Sequence, residues 1–269
     1  MIKTTDDEFC QIVNYIKINY GINLSQKRIL LEGRLNNYLQ EKGYSNYTDY
    51  FTALKADKTG QETTNLLNRV TTNHTYFMRE ADHFDFLTNH VLPDIEKSIN
   101  DFDLRTWCAA ASSGEEPYTL AMILNDYFTG KASAWDKKLL ATDISIKVLK
   151  QAKAGIYPAD SIAVMPEPWK TRYFVKADSN SVMVSPQIKG EVVYRHFNLM
   201  NQIIVKKPYH IIFCRNVMIY FDAATKAALL ERMYNVLVPG GYLFLGHTES
   251  MVKSDRFKCV YPSVYKKLF

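Results

Sequence analysis

The stretch that decides the fold is TWCAAASSGEEPY, residues 106–118. It begins as an apolar run typical of a buried strand, passes through small residues with a single glycine, Gly114, and turns acidic at Glu115 and Glu116. A strand that runs through a short loop into a helix places free backbone N–H groups at the carboxyl edge of a sheet. In doubly wound α/β folds this edge is where ligands bind. We therefore expect a cofactor site around this loop.

The loop lacks the fingerprint of a dinucleotide site. The GxGxxG pattern needs two glycines separated by one residue, and none of the eleven glycines in the chain is spaced in this way. The carboxylates of Glu115 and Glu116 would also repel a phosphate. This argues against a nicotinamide dehydrogenase and favours a ligand that carries positive charge.

The next strand-like run, LLATDI at residues 139–144, ends near an aspartate, Asp143. An acidic side chain at this position commonly accepts hydrogen bonds from both ribose hydroxyls. S-adenosylmethionine combines a ribose with a sulfonium and an α-ammonium group, and it has no phosphate. It therefore matches both features, although these residues alone also allow a nucleotide, or a helix-capping role for Asp143 without any ligand.

The N-terminal quarter of the chain has a helical pattern. From Phe9 to Val70 apolar residues recur at helical spacing, and Gly21, Gly43 and Gly60 punctuate them. This predicts a small all-α domain over residues 1–70, followed by a linker over 71–90.

The rest of the chain has an alternating pattern after Asp101. Strand-like runs such as YHIIFCRNV alternate with helical runs such as EEPYTLAMILNDYF, which predicts βαβ units and a parallel sheet. The short runs RYFVK, SVMVS and EVVYRHF are separated by turn residues and predict a small antiparallel insertion at about 156–196. The predicted fold is α/β, with a Rossmann-like domain over 91–269.

The composition is that of an ordinary globular protein. The 269 residues carry a net charge of +5 with acidic and basic residues interspersed, which is weak support for a nucleic-acid partner. The histidines have no metal-type spacing, and no CxxC pair occurs among Cys10, Cys108, Cys214 and Cys259. We expect no metal. The sequence shows neither a signal peptide nor an apolar run of the ~18 residues that cross a membrane, so we expect a cytoplasmic protein without membrane insertion.

A basic stretch lies in the predicted helical domain, between Lys17 and Lys42. It contains five basic residues against Glu32 and Glu41. Such an excess is typical either of a solvated helix face or of a docking surface for an acidic partner, and the pattern does not choose between them.

Several blocks of the sequence occur together in one known family. The chain resembles the chemotaxis receptor methyltransferases, the CheR family, through TTNHTYFMRE at 71–80, WCAAASSGEEPYTLAM at 107–122, LLATDIS at 139–145, KAGIYP at 153–158, RYF at 172–174, FNL at 197–199, FCRNVMIYFD at 213–222 and LVPGGYLFLGHTES at 237–250. The blocks keep their order and span nearly the whole chain, so the resemblance is far more specific than any single motif.

The resemblance implies a small helical domain joined to a class I S-adenosylmethionine-dependent methyltransferase domain that carries a three-stranded antiparallel insertion. It implies methyl transfer to the side-chain carboxylates of specific glutamates on the cytoplasmic helices of chemoreceptors, with S-adenosylhomocysteine as the second product. Other readings are methylation of a different acceptor or a receptor-binding module without activity. A nucleic-acid amino-methyltransferase would more often have an Asn-Pro-Pro-aromatic motif where this chain has RNVMIYF.

The resemblance also assigns residues. Cofactor contacts carried over by motif are Asn73, Thr75, Arg79, Glu116, Asp143, Asn198, Leu199, Arg215 and Asn216. Arg79 and Tyr220 are expected at the reacting end. Arg28 and Arg34 are candidates for docking the receptor, whereas Cys108 and Cys214 are expected to be core residues.

One segment departs from part of the family. Some members bind a short peptide at the receptor C-terminus through the insertion, and they carry a glycine-containing loop after RYF. Here the corresponding segment reads VKADSNSVMV and has no glycine. The resemblance therefore implies a member that does not use this tether.

Overall fold

The computed structural model describes residues 2–71, 73–131, 134–251 and 254–269. The helical pattern at the N-terminus forms a bundle of α1 (Asp6–Tyr20), α2 (Arg28–Glu41), α3 (Tyr47–Ala56) and α4 (Gln61–Val70). The first of these begins at a capping box, in which Thr5 and Glu8 each accept from the other's backbone N–H. It ends at Gly21, whose φ of 73° is accessible to glycine at little cost.

A helical segment links the bundle to the sheet. It consists of α5 (Ala81–Phe86), a π-helical turn (Leu87–Val91) and α6 (Leu92–Glu96), which follow one another without a break. The remaining helices are α7 (Glu115–Phe128), α8 (Ile146–Ala154), α9 (Glu167–Tyr173), α10 (Pro186–Gly190) and α11 (Ala223–Asn235).

The strands form a large mixed sheet and a small antiparallel one. They are β1 (Thr106–Cys108), β2 (Leu139–Asp143), β3 (Ile156–Pro158), β4 (Phe174–Lys176), β5 (Ser181–Val184), β6 (Val192–His196), β7 (Tyr209–Cys214), β8 (Leu237–Leu245), β9 (Phe257–Tyr261) and β10 (Val264–Lys267). The large sheet has the order β6-β2-β1-β7-β8-β10-β9, and the small sheet has the order β3-β5-β4. This confirms the α/β fold with an antiparallel insertion.

The parallel strands end together at one edge of the large sheet. Cys108, the last residue of β1, lies opposite Ala141 of β2 and Phe213 of β7. The loops after β1, β2, β6 and β7 therefore leave the sheet at neighbouring points, as expected for a doubly wound fold.

Two parts of the sheet differ from the prediction. The segment 192–196, which we had assigned to the antiparallel insertion, pairs in parallel with β2 at the edge of the large sheet. Its alternating burial identifies a strand, but a period of two residues does not say which sheet a strand joins. The antiparallel pair β9 and β10, which makes the large sheet mixed, was not predicted at all.

The bundle is joined to the sheet by a shared core. Along β7, Ile211 and Phe213 face the apolar cluster beneath α7, while Ile212 and Cys214 face the other side. That second cluster also contains bundle residues such as Ile12 and Leu35. Within the described ranges, none of the helices is long and apolar enough to cross a bilayer.

Candidate active site

A concave site lies at the carboxyl edge of the parallel strands. Ligands of doubly wound folds bind at this edge. The wall contains every predicted cofactor and reaction residue, namely Asn73, Thr75, Arg79, Glu116, Asp143, Asn198, Leu199, Arg215, Asn216 and Tyr220. The structure thus brings these residues together, while the contact that each makes with a cofactor stays a prediction.

Asp143 is held rigidly at the end of β2. Its Oδ2 atom accepts from the Ser112 N–H at 2.9 Å and its Oδ1 atom accepts from the Ser145 N–H at 2.8 Å. Burial raises the pKa of Asp143, and the bonds from Ser145 and Ser112 act in the opposite direction. The loop of small residues after β1 therefore serves to fix this carboxylate at the cavity wall.

Glu116 is paired with Arg215 across the floor of the cavity. Its Oε2 atom lies 3.0 Å from Nη1 of Arg215, whose side chain is fully buried. Burial raises the pKa of Glu116, and the charge of Arg215 opposes this rise. Glu116 is therefore paired with a cation of the protein, so a positively charged ligand would share this carboxylate with Arg215. Its contact with a cofactor stays a prediction.

A second carboxylate, Glu80, contacts the same guanidinium. Its Oε2 atom accepts from Nη2 of Arg215 at 2.9 Å, and its Oε1 atom accepts from Nδ2 of Asn216 at 3.1 Å. Burial acts to raise the pKa of Glu80, but Arg215 and Asn216 outweigh it and the pKa is lowered. Arg215 thus lies between two carboxylates, and the net charge of this buried group is negative when both are ionised.

Glu249 organises the loop that follows β7. It is 3% exposed, and its Oε2 atom accepts from the N–H groups of Asn216 and Gly246 at 2.8 and 2.7 Å. Its Oε1 atom accepts from the N–H of Ile219 at 3.1 Å. Because Asn216 has a φ of 56°, the loop leaves β7 in a left-handed turn that these bonds hold in place.

Glu80 and Glu249 were missed as site residues by the sequence reasoning. Both lie inside motifs that carry the family resemblance, Glu80 at the end of TTNHTYFMRE and Glu249 within LVPGGYLFLGHTES. No chemical pattern within either motif marks them, since Arg215 for Glu80, and Asn216 and Ile219 for Glu249, are distant in sequence.

The bundle closes one side of the cavity. Tyr20 and Ile22, which follow α1, are part of the wall. Ile22 forms an antiparallel bridge with Phe221, and the Asn23 N–H donates to the Tyr220 carbonyl at 2.8 Å. We call this contact the Ile22–Phe221 seam.

The seam is extended by polar contacts on both sides. Lys17 pairs with Asp222 at 2.8 Å, and Nδ2 of Asn198 donates to the Asn19 carbonyl at 2.7 Å. The positions of Tyr220 and Asn198 in the cavity wall therefore depend on the bundle.

Arg79 lies in the cavity wall and is partly exposed. Its Nη1 atom donates to the His74 carbonyl at 2.7 Å, and its guanidinium lies 6.0 Å from the ring centre of Tyr76. Tyr76 is 48% exposed rather than packed, whereas Phe77 is buried in the core. Since a guanidinium has five N–H donors, Arg79 retains donors for a ligand or substrate.

The two docking candidates lie away from the cavity wall. Arg28 pairs with Asp6 at 2.6 Å and lies 4.6 Å from the ring centre of Phe9. Nη1 of Arg34 donates to the backbone carbonyls of 69, 70 and 71 at 3.0 to 3.3 Å. Arg34 thus satisfies carbonyl groups at the end of α4, directly before the segment that enters the cavity.

The cavity suits S-adenosylmethionine in its chemistry. It offers a buried, backbone-fixed carboxylate for ribose hydroxyls at Asp143, and apolar wall residues such as Ile144 and Phe197 for a base. The Nε atom of Arg215 has no hydrogen-bond partner among the described residues, although it is buried beside the cavity. A ligand with hydroxyl, amino and carboxylate groups would meet complementary groups here.

Comparison with known proteins agrees with this geometry. The family model "CheR methyltransferase, all-alpha domain" matches residues 7–71, and "CheR methyltransferase, SAM binding domain" matches residues 73–265. The chain is 40% identical to a chemotaxis protein methyltransferase of Borreliella burgdorferi, over 99% of this chain and 96% of that protein. It is 35% identical to one of Escherichia coli, over 94% of this chain and 87% of that protein.

A solved structure of the glycopeptide N-methyltransferase MtfA with sinefungin also aligns, covering 64% of this chain and 54% of that one. Its TM-score of 0.38 at 14% identity is too low to carry an argument. The two family models together match most of the chain, and the relatives align over nearly its whole length. This chain therefore belongs to the CheR methyltransferases, a family of S-adenosylmethionine-dependent enzymes.

Proposed function

We propose that the protein methylates side-chain carboxylates of specific glutamates on the cytoplasmic helices of chemotaxis receptors, giving glutamate methyl esters and S-adenosylhomocysteine. The observation that supports this proposal is that Asp143, Arg79 and Tyr220 line the same cavity in a chain of this family. Such receptors present these helices in the cytoplasm, so we propose that the enzyme acts there.

Residues around the cavity divide into those that hold the cofactor and those that hold the acceptor. Asp143 is proposed to accept from the ribose hydroxyls; both of its oxygens keep lone pairs beyond the bonds from Ser112 and Ser145, which supports this role. Glu116 and Arg215 form the paired charges on the floor, where they can receive the ammonium and carboxylate of the cofactor's amino acid. Asn73, Thr75, Asn198, Leu199 and Asn216 complete the proposed contacts.

The acceptor needs no general base. A glutamate has an ordinary pKa of about 4.3, so its carboxylate is ionised and nucleophilic at neutral pH. When bound, S-adenosylmethionine supplies an electrophilic methyl group whose transfer to a carboxylate oxygen neutralises both the sulfonium and the carboxylate. The task of the protein is therefore alignment, which can contribute about 7–11 kcal/mol.

Arg79 and Tyr220 are proposed to provide that alignment. Arg79 lies in the cavity wall with donors beyond its bond to His74, which supports a pairing with the incoming carboxylate. Such a pair offsets the cost of removing water from the acceptor. Tyr220 lies in the same wall and is held there at the Ile22–Phe221 seam.

Docking of the receptor is proposed to use the basic stretch of α1 and α2. Clustered glutamates on a receptor helix would be attracted to Lys27 and Arg28, which lie on the surface of the bundle. Arg34 has a structural role at the end of α4, so its contribution to docking is expected to be smaller than that of Arg28. The loop between β4 and β5 lacks glycine, which supports methylation without a receptor tether.

We also propose the domain limits suggested by the sequence: a helical domain over 1–70, a cofactor-contacting linker over 71–90 and a methyltransferase domain over 91–269. The two family models meet between residues 71 and 73, which supports the first limit.

The test of the function is a labelling assay. The protein is incubated with radiolabelled S-adenosylmethionine and a receptor cytoplasmic fragment, and the labelled fragment is then treated with mild base. A carboxyl methyl ester releases its label as volatile methanol, whereas an N-methyl group is stable to base. Label that is stable to base would show that another kind of group is methylated. If the protein binds the cofactor but the receptor fragment stays unlabelled, the alternative is a receptor-binding module without activity.

A further inference from the structure

Beside the cofactor cavity, and not part of its wall, lies a cluster of Glu80, His83 and His247. One carboxylate or imidazole atom from each lies within 4.8 Å of the others. Glu80 immediately precedes α5, His83 lies on α5, and His247 follows β8. Sequence spacing could not reveal this group, because His247 is far from the other two along the chain.

His83 has the features of a metal ligand. Its side chain is fully buried, and its Nε2 atom lies 2.9 Å from the carbonyl oxygen of Pro262. Since a carbonyl only accepts, Nε2 carries the proton and Nδ1 presents a lone pair. Histidines that bind metals usually donate their other N–H to such a carbonyl or to a carboxylate.

The lone pair of His83 Nδ1 points into the cluster without a donor. It lies 3.7 Å from Oε2 of Glu80 and has no hydrogen-bond partner among the described residues. A histidine that merely fills the core would normally have both nitrogens satisfied, because an unpaired buried nitrogen destabilises the fold. A cation is the partner that a neutral imidazole lone pair next to a carboxylate would accept.

His247 gives the cluster access to solvent. Its side chain is 42% exposed, and its Nε2 atom lies 4.0 Å from Oε2 of Glu80 and 3.1 Å from Oδ2 of Asp82. Because an ionised carboxylate only accepts, Nε2 of His247 is the donor in this contact, and ligation through Nε2 requires the proton to move to the other ring nitrogen. Asp82, released from this bond, can then add a second carboxylate oxygen. The donor set is then two imidazole nitrogens and two carboxylates, which suits Zn²⁺ and its neighbours in the transition series rather than Mg²⁺ or Ca²⁺.

We propose that Glu80, His83 and His247, with Asp82, form a binding site for a divalent transition-metal ion of the Zn²⁺ class. Ligand atoms around tetrahedral zinc are about 3.4 Å apart, from bond lengths near 2.1 Å. The separations from Glu80 are 3.7 Å to His83 and 4.0 Å to His247, and all three ligand atoms lie within 4.8 Å of one another, so they have to move closer together. Rotation of the exposed His247 side chain can shorten its own separations, and a small rotation of the Glu80 side chain can shorten the one to His83.

Arg215 sets a limit on this site. Its guanidinium already donates to Oε2 of Glu80, so a bound ion would share that oxygen with a positive charge. Asp82 and the ionised form of Glu116 offset this repulsion, and hydrogen-bonded carboxylates are common metal ligands. We therefore expect reversible binding rather than a permanently held ion.

The test uses the full chain after treatment with a chelator and its removal. Zn²⁺ alone is titrated in by calorimetry, and Co²⁺ is titrated in while its visible spectrum is recorded. Both titrations use a Cys10→Ser, Cys259→Ser background, because these exposed thiols could bind the same ions. We expect one equivalent to bind, and a cobalt spectrum of nitrogen and oxygen ligands without thiolate bands.

The decisive variant is His247→Ala, which removes an exposed side chain and should leave the fold intact. Affinity should fall about tenfold or more, while the matched control His90→Ala, an exposed histidine on the same helical segment, should bind as before. Absence of saturable binding in the parent, or equal binding in His247→Ala, would overturn the proposal. A loss in His90→Ala alone would also overturn it, since the ion would then lie elsewhere.

Discussion

Replacement of Glu249 by alanine tests how the loop after β7 is held. The substitution removes the acceptor for the N–H groups of Asn216, Gly246 and Ile219. These groups surround a side chain that is 3% exposed, so water would replace the lost acceptor poorly.

The expected loss of stability follows from opposing contributions. Each buried N–H left unpaired costs about 1–3 kcal/mol, and neighbouring losses add incompletely. Removal of Glu249 also relieves the cost of burying its carboxylate, a cost that shows in the raised pKa of this residue. We therefore expect Glu249→Ala to lower the free energy of unfolding by about 2–4 kcal/mol. Glu249→Gln keeps the volume and one oxygen, and should lose roughly half as much.

Activity should fall by more than the stability loss alone explains. The loop places Asn216 and Tyr220 in the cavity wall, so its displacement should reduce kcat/KM in protein that is still fully folded. Urea unfolding and initial rates at a temperature well below Tm measure the two effects separately. The matched control is Glu231→Ala, an exposed carboxylate on α11 that pairs with Arg256 and should change stability by less than about 1 kcal/mol.

The reasoning would be refuted by a Glu249→Ala protein that unfolds at the same urea concentration as the control. It would also be refuted if kcat/KM of the folded variant were unchanged, since the loop would then hold its position without this carboxylate.

Further predictions concern the cavity, the acid response and docking. Asp143→Ala should weaken S-adenosylhomocysteine binding by about 10–100-fold in calorimetry, because hydrogen bonds to a charged acceptor contribute about 1.5–3 kcal/mol; unchanged affinity would exclude its role in ribose binding. Arg79→Ala should lose turnover while its urea unfolding stays near that of the parent, and methylation of receptors at the normal rate would show that the assignment is wrong. The pKa of Glu80 is lowered in the folded protein, so its ionised form stabilises the fold at pH values above its unfolded pKa near 4.5, and this contribution is lost as the pH falls through the lower folded pKa. On acidification the free energy of unfolding should therefore fall less for Glu80→Gln than for the parent. Equal falls for the two proteins would contradict this. Arg28→Glu should slow receptor methylation at low salt and have little effect at high salt, whereas a rate that responds neither to the reversal nor to salt would indicate a solvated face.

Local patterns predicted the parts of the fold that local forces determine. The helical bundle and the βαβ units follow from apolar periodicity, which reflects burial within a single element. The loop 106–118 and Asp143 were found because a strand, a small-residue loop and a helix are adjacent in sequence. In each case the residues that form the pattern lie within about 15 residues of one another along the chain.

Contacts between distant segments account for what was missed. Glu249 accepts N–H bonds from Asn216 and Ile219, which lie about 30 residues earlier, and no pattern within GHTES marks this. The strand 192–196 joins the large sheet because its backbone pairs with β2, a choice that its own alternation leaves open. Charge alone could not show that Arg34 lies beside the end of α4 and donates to its backbone carbonyls, while its part in docking stays a prediction.

The Ile22–Phe221 seam limits how the enzyme can be rebuilt from parts. A chimaera that took its bundle from another relative would also exchange Tyr20 and Ile22, which belong to the cavity wall. It would break the pairing of Lys17 with Asp222 unless both partners were transferred. A change of receptor preference made by grafting the N-terminal segment would therefore alter cofactor affinity as well, and the graft should include residues 220–222 from the same donor.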